Sequence, residues 1–230
     1  MPGSSLWLLP PKSHPLHAIL SALITKTLPS QFPDITLNPS SNRDPHGMDS
    51  TFFPPHMTLT SGISPYLYGS DPQAFLDSIP FPAANSSDGV KVRFFPSTSE
   101  NTSIQSQETF FRRCFIKVVL DNTVRQLAGI ARARGVNGED DIGPKTEEWL
   151  VQWQREFGPH VSLIYGDVPI NDEILLRISD VVEQAGVDLG GSKSGTESSK
   201  TYNGWDGGIV WLVPTDRPVN EWKPIAIREL

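Results

Sequence analysis

Two ten-residue stretches of the sequence are similar to each other: FPPHMTLTSG at residues 53–62 and FGPHVSLIYG at residues 157–166. Phe, Pro, His, Leu and Gly coincide when the stretches are aligned, and Thr58 stands opposite Ser162 as a second hydroxyl. The chain contains 5 histidines, and two of them, His56 and His160, occupy the same place in this repeat. Such a repeat predicts two similar supersecondary units about an approximate two-fold axis. A weaker echo relates WLLP at 7–10 to WLVP at 211–214.

The pattern His-x-Thr/Ser places an imidazole and a hydroxyl on the same face of a strand, because side chains alternate with a period of two. Two such strands facing one cleft would gather two imidazoles and two hydroxyls around one point. Hydroxyls donate to the nonbridging oxygens of a phosphate ester, while one imidazole accepts a proton and the other supplies one. A histidine pKa of about 6.5 makes both protonation states accessible. The sequence therefore predicts His56 and His160 as a catalytic pair, with Leu59 and Leu163 anchoring the strands in the core.

The composition is that of a folded protein, with 37% hydrophobic and 20% charged residues among 230. Its 19 basic and 26 acidic residues give a net charge of −7, and without a basic surplus we expect no long nucleic acid as partner. A single cysteine, Cys114, cannot form an internal disulfide. We expect no membrane span and no secretory signal. The predicted location is intracellular and cytoplasmic, with peripheral organelle association left open.

Hydrophobic periodicity predicts four helices, at residues 15–28, 122–134, 145–157 and 171–186. Shorter β-rich segments predict seven strands, at residues 5–9, 56–63, 90–95, 114–121, 160–165, 208–213 and 224–228. Their mixed order indicates an α+β protein with a largely antiparallel sheet. Segments poor in large apolar groups predict flexible surface loops near residues 38–50, 97–107 and 190–204.

The doubled motif, with histidines 104 residues apart, resembles the signature of the two-histidine (2H) phosphoesterase superfamily. The chain length, the opening SLWLLPP at 5–11 and the low cysteine content make it most similar to the fungal 2′,3′-cyclic-nucleotide 3′-phosphodiesterases. The resemblance covers roughly residues 5–228. It implies one bilobal α+β domain over residues 1–230, in which two lobes, each an antiparallel sheet flanked by helices, face a cleft.

The resemblance also implies an activity: hydrolysis of nucleoside 2′,3′-cyclic phosphates to nucleoside 2′-phosphates. The resemblance implies the same reaction for ADP-ribose 1″,2″-cyclic phosphate, a by-product of tRNA splicing. Its hydrolysis would give ADP-ribose 1″-phosphate. Members of this superfamily need no metal, and no cofactor is implied. The partner is then a small cyclic phosphate substrate, and we expect a monomer.

Six residues of this chain match the family's site. His56 and His160 are its catalytic pair, and the phosphate and substrate contacts fall to Thr58, Ser162, Tyr165 and Trp7. Tyr165 matches an aromatic beside the phosphate and its attacking water. Trp7 matches an aromatic of the cleft wall that contacts the nucleoside, although a core role fits the sequence equally well. Because the first repeat has Ser61 where the second has Tyr165, we favour His160 as the base and His56 as the acid.

Four basic side chains are candidates to border a phosphate: Arg93, Arg112, Arg113 and Lys117. Two other functions stay open at this level. One is a two-histidine enzyme acting on RNA ends, ligase-like or exonuclease-like, which the acidic charge disfavours. The other is a non-catalytic binder of phosphorylated metabolites, which two intact His-x-Thr/Ser sets disfavour.

Overall fold

A computed structural model describes residues 3–36, 53–82, 89–98, 101–190 and 200–230. Its strands are β1 (Ser4–Leu9), β2 (Met57–Ile63), β3 (Lys91–Arg93), β4 (Ile104–Gln105), β5 (Cys114–Lys117), β6 (His160–Ile164), β7 (Gly204–Asp206), β8 (Ile209–Pro214) and β9 (Ala226–Glu229). Seven of them form one antiparallel sheet in the order β4-β5-β6-β2-β1-β8-β9, and β3 pairs with β7 in a separate ribbon. The predicted α+β class with an antiparallel sheet is confirmed.

The described helices are α1 (Pro15–Ala22), α2 (Leu28–Gln31), α3 (Pro33–Thr36), α4 (Pro65–Tyr68), α5 (Pro72–Ser78), α6 (Asn122–Arg132), α7 (Pro144–Glu156) and α8 (Asp172–Gln184). Two π-helical turns, Leu23–Thr27 and Ala133–Asn137, continue α1 and α6, and 3₁₀ turns cover Phe110–Arg112 and Val219–Glu221. The four predicted helices correspond to α1 with its π turn, α6, α7 and α8. No described helix has the length and hydropathy needed to cross a bilayer.

Side-chain caps fix where the helices begin, because the first N–H groups of a helix have no partner within it. Asp121 accepts from Val124 N at 2.8 Å and starts α6. Asn171 accepts from Ile174 N at 2.9 Å and caps α8. At α1 the ring Nδ1 of His14 accepts from Leu16 N at 3.2 Å.

The two repeat strands, β2 and β6, are neighbours at the middle of the sheet. They are joined by one residue pair, Met57 with Val161. The resemblance implied an antiparallel sheet in each of two lobes, whereas this pair joins β2 and β6 in one 7-stranded sheet. Because side chains alternate, the residues on either side of Met57 and Val161 project from the opposite face of the sheet.

The buried face of the sheet carries the strand positions that lie out of phase with the motif histidines. Met57, Leu59, Val161 and Leu163 are all buried in the core, as the sequence predicted for the two leucines. Helix α6 packs against β2. Cys114 is also buried, and burial raises the pKa of its thiol to about 12. Apolar packing thus fixes which face of β2 and β6 the histidines occupy.

The weaker sequence echo has a different origin from the one predicted. Strands β1 and β8 are adjacent, and Trp7 lies directly opposite Trp211. Both strands stand on the same side of the β2–β6 junction, so the echo does not mark equivalent strands of two repeated units.

The predicted loops have different outcomes. The segment 38–50 and residues 191–199 lie outside the described residues. The segment 97–107 contains the short edge strand β4, paired with β5, and Ser103 there is buried. Strand β4 and the ribbon strand β7 were not predicted, because two or three residues are too few to give an alternating pattern.

Candidate active site

A cavity of about 350 Å³ opens on the face of the sheet that carries the motif histidines. All six predicted site residues line it: Trp7, His56, Thr58, His160, Ser162 and Tyr165. The antiparallel pairing of Met57 with Val161 places His56 opposite Ser162 and Thr58 opposite His160. Residues 56, 58, 160 and 162 therefore share one face, and the fold brings together two parts of the chain about a hundred residues apart.

The two imidazoles are held in the same way. His56 Nδ1 lies 2.7 Å from Pro54 O, and His160 Nδ1 lies 2.9 Å from Gly158 O. A carbonyl oxygen only accepts, so in both rings Nδ1 carries the hydrogen and donates it. When neutral, each ring then has an unprotonated Nε2 that can accept a proton; when protonated, each can donate one from that atom.

Burial sets the acidity of both rings. It lowers the pKa of His56 to about 4, opposed by the hydrogen bond to Pro54 and reinforced by the charge of His160. The pKa of His160 is also lowered to about 4. Burial is the largest cause, the hydrogen bond to Gly158 opposes it, and the charge of Arg112 lowers the pKa further. Both free imidazoles are therefore neutral at pH 7. A bound anion would favour the protonated form of whichever ring it contacts.

Trp7 packs face to face on His56, with ring centroids 3.8 Å apart and an interplanar angle of 15°. The Trp7 ring is only 2% exposed. Of the two roles that the sequence left open, this geometry favours a packing role, in which Trp7 fixes the plane of the His56 ring.

The hydroxyl groups of the site differ in their partners. Ser162 Oγ donates to Phe111 O at 3.0 Å. Burial raises the pKa of Tyr165, and the nearby Ser162 side chain partly opposes this shift. The Tyr165 ring stacks on Phe53 at 3.7 Å between centroids. Thr58 is half-buried, and its side chain has no hydrogen bond in the part of the chain described. Thr58 is thus free to bind a ligand, whereas Ser162 must exchange a partner.

Of the four basic candidates, only Arg112 lines the cavity. It is buried, its Nη1 and Nη2 donate to Glu156 O and Phe157 O, and its Nε lacks a partner among the described residues. The other three have partners elsewhere: Arg93 binds Asp206, Arg113 donates to Gly166 O and Asp167 O, and Lys117 lies over Phe95.

Several cavity residues were not singled out from the sequence. Trp149 and Trp153 on α7, Phe157 just after it, and Thr60 on β2 all line the cavity. The first three lie on one apolar stripe of the helix predicted at residues 145–157. Periodicity finds such a stripe but does not tell whether it faces the core or a cavity.

The cavity lining offers little to a metal ion. It contains two histidines but no Asp, Glu or Cys. Among the described residues, no group of three or more His, Cys, Asp and Glu side chains is arranged to hold a metal. Acid–base chemistry at Nε2 and hydrogen bonding to an anion are what the arrangement offers.

A sequence profile described as cyclic phosphodiesterase-like protein matches residues 1–230 of this chain. The chain belongs to the cyclic phosphodiesterase-like family. The match spans both His-x-Thr/Ser motifs, so membership of this family agrees with the resemblance carried by the repeat.

Relatives within this family are similar to the chain along its whole length. A protein of Neurospora crassa named 2′,3′-cyclic-nucleotide 3′-phosphodiesterase is 56% identical over 231 residues, with 100% of each chain covered. Proteins of the same name are 37% identical in Phaeosphaeria nodorum, with 100% of each chain covered, and 26% identical in Yarrowia lipolytica, with 99% of each covered.

Proposed function

We propose that this chain hydrolyses nucleoside 2′,3′-cyclic phosphates to nucleoside 2′-phosphates, with His56 and His160 as its acid–base pair. The observation that carries the proposal is the shared geometry of the two rings, each donating from Nδ1 to a carbonyl two residues earlier and lining one cavity. The names of the fungal relatives support the substrate class.

In the proposed reaction His160 is the base. Its Nε2 takes a proton from water as the water oxygen attacks phosphorus in line with the departing ribose oxygen. Burial, reinforced by the positive charge of Arg112, keeps His160 neutral, which is the state a base needs. Tyr165 lines the same cavity, and in this proposal its hydroxyl holds the attacking water.

His56 is then the acid. Its Nε2–H protonates the ribose 3′ oxygen as the phosphorus–oxygen bond breaks, which leaves the phosphate on the 2′ oxygen. Burial disfavours the imidazolium in the free protein, so the negative charge of the bound phosphate must stabilise it. The Trp7 ring keeps His56 in the plane that this transfer requires.

Thr58 and Ser162 bind the nonbridging phosphate oxygens. Thr58 does so without giving up a protein partner, while Ser162 exchanges Phe111 O for the phosphate. Arg112 contributes charge, and its Nε, which has no partner among the described residues, is a further donor. These groups stabilise the negative charge that develops at phosphorus.

The same five-membered cyclic phosphate occurs in ADP-ribose 1″,2″-cyclic phosphate. We extend the proposal to its hydrolysis to ADP-ribose 1″-phosphate, within the metabolism of tRNA-splicing by-products. We further propose that the strands on either side of the β2–β6 junction act as two lobes, with the substrate between them.

The test is turnover of 2′,3′-cyclic AMP, with a chelator present, by the native protein and by His56→Ala and His160→Ala. Each variant should lose about 10²–10⁴ in rate, the usual effect of removing a general acid or base. His17→Ala is the matched control, because His17 lies on α1 and does not line the cavity. Near-normal rates in either active-site variant would end the two-histidine mechanism.

The position of the phosphate in the product tests the bond that is cleaved. A 2′-phosphate is expected, and a 3′-phosphate would contradict the proposed departure of the 3′ oxygen. Comparing 2′,3′-cyclic AMP with an oligonucleotide that ends in a cyclic phosphate tests the substrate size. Preference for the mononucleotide is expected from the net charge of −7.

A further inference from the structure

We propose that the α7 side of the cavity is a nucleobase subsite, formed by an aromatic wall of Trp149, Trp153 and Phe157. The inference rests on the proposed function, because the base would belong to the same nucleotide whose cyclic phosphate lies between the two histidines. It assigns the nucleoside to this wall and not to Trp7, whose ring is taken up by His56.

The wall has the geometry of a stacking surface. Residues 149, 153 and 157 recur at intervals of four and so lie along one face of α7 and its C-terminal end. The Trp149 and Trp153 rings are 5.5 Å apart between centroids and 17° from parallel. All three side chains line the cavity that holds the histidines. Flat aromatic faces next to a phosphate site are suited to a nucleobase, which also presents a flat π face.

Phe157 is exposed where its counterpart in the repeat is buried. Phe53 occupies the equivalent position, is 3% exposed and stacks on Tyr165. Phe157 is 52% exposed, and its ring contacts the Arg112 guanidinium at 5.5 Å. Core packing therefore explains Phe53 but leaves half of Phe157 without a partner. A base at the cavity mouth would cover the exposed part of the Phe157 ring.

A polar group deep in the cavity also lacks a partner. Thr60 is 1% exposed, and its Oγ1 has no hydrogen bond within the described residues. Arg132 contacts both this end of the cavity and the aromatic wall. Its Nη1 donates to Ser61 O, and its guanidinium lies 5.0 Å from the Trp149 ring centroid. A buried hydroxyl is costly to leave unpaired, and the polar edge of a base or a ribose hydroxyl would satisfy it.

The test compares a substrate that has a base, 2′,3′-cyclic AMP, with one that has none, glycerol 1,2-cyclic phosphate. The variant is Phe157→Leu, which keeps apolar bulk and removes the flat ring. The ratio of kcat/KM for the nucleotide to kcat/KM for the baseless ester should fall at least about fivefold, the lower end of the loss when a stacking aromatic is removed. Val151→Ala is the control, since Val151 is on α7, 62% exposed and not among the lining residues.

An unchanged ratio in Phe157→Leu, with both substrates turned over, would overturn the subsite and leave the proposed function standing. If the native protein hydrolyses neither substrate, the proposed function fails. The subsite is then tested by the binding of adenosine 2′-monophosphate, measured by quenching of tryptophan fluorescence. Quenching that Phe157→Leu weakens at least about fivefold supports the wall as a base-binding surface. No quenching by millimolar ligand would overturn it.

Discussion

Arg112 is the one cavity-lining side chain in the described structure with a permanent charge. It stands at the end of the 3₁₀ turn that packs on β6, with no carboxylate partner in the described part of the chain, and it is held by two backbone carbonyls. A buried, unpaired guanidinium is costly by itself, but its charge favours a neutral His160 and a bound anion. Burying the charge of Arg112 is therefore unfavourable for stability, but it favours a neutral His160 and the binding of an anion.

Replacing Arg112 by Gln should lower kcat/KM for 2′,3′-cyclic AMP by about tenfold or more, because a charged hydrogen bond contributes about 1.5–3 kcal/mol. The pKa of His160 should rise, since the charge of Arg112 lowers it. Kinetics and NMR titration of the His160 ring measure the two effects.

Arg113→Gln is the matched control, because Arg113 is the next residue, is also buried and also donates to two backbone carbonyls, yet does not line the cavity. Equal losses in both variants, with an unmoved His160 titration, would reduce Arg112 to a structural role.

The sequence singled out six side chains that the fold brings to one cavity, but it did not predict all of their contacts. The repeat identified His56 and His160, and the structure places both in one cavity. For Trp7 the sequence left a cleft-wall role and a core role open; it lines the cavity, and its ring packs on the imidazole of His56. A sequence does not specify which ring stacks on which, because that depends on strands β1 and β2 pairing with Trp7 opposite Thr58.

At the scale of elements, the ribbon of β3 and β7 depends on one glycine. Gly204 has φ +143°, and a Cβ at this position would lie 2.0 Å from Val92 O on the paired strand. Since the obstacle is backbone, no side-chain rotation relieves it. Gly204 is therefore a position where both backbone conformation and close approach of the strands require glycine.

Gly204→Ala should lower the free energy of unfolding by at least about 3 kcal/mol, through combined strain and separation of the strands. Gly138→Ala is the comparison, because Gly138 also has positive φ, at +66°, but no atom within 4 Å of a Cβ. It should cost only about 1–2 kcal/mol. Urea unfolding of both variants measures the difference, and equal losses would contradict the clash.

Helix α7 illustrates where element prediction stops. Its boundaries were predicted within a residue or two, because a strong apolar stripe and Gly158 mark its extent. Its function was not predicted, because the same stripe would be expected for a helix facing the core. Only the folded structure shows that the tryptophans of α7 line the same cavity as the motif histidines of the sheet.

At the scale of the whole molecule, two neutral histidines, the buried His56 and the partly buried His160, couple stability to pH. The pKa values of His56 and His160 are about 4 in the folded protein, against 6.5 for an unperturbed histidine. Between these values the unfolded chain binds more protons than the folded one, so stability rises with pH. Their contribution is complete above about pH 6.5 and is lost as the pH falls toward 4.

His56→Gln should therefore reduce the steepness of the stability loss between pH 6.5 and pH 4.5 by up to about 1.4 kcal/mol per pH unit, one proton's worth. Urea unfolding at several pH values measures the slope, which does not depend on any uniform loss of stability in the variant. His17→Gln should change the slope less, because His17 is only half-buried. Equal slopes in the native protein and His56→Gln would show that His56 is not held neutral.

By itself, the sequence determined the α+β class, the main helices and strands, and the identity of the paired imidazoles and hydroxyls. These follow from local periodicity and from a repeat that is visible in the chain. The tertiary structure decided what depends on contacts between distant segments: the single sheet joined at Met57 and Val161, the choice of Arg112 among the basic side chains, and the aromatic wall on α7. Such contacts depend on strand register and packing, which no local stretch of residues specifies.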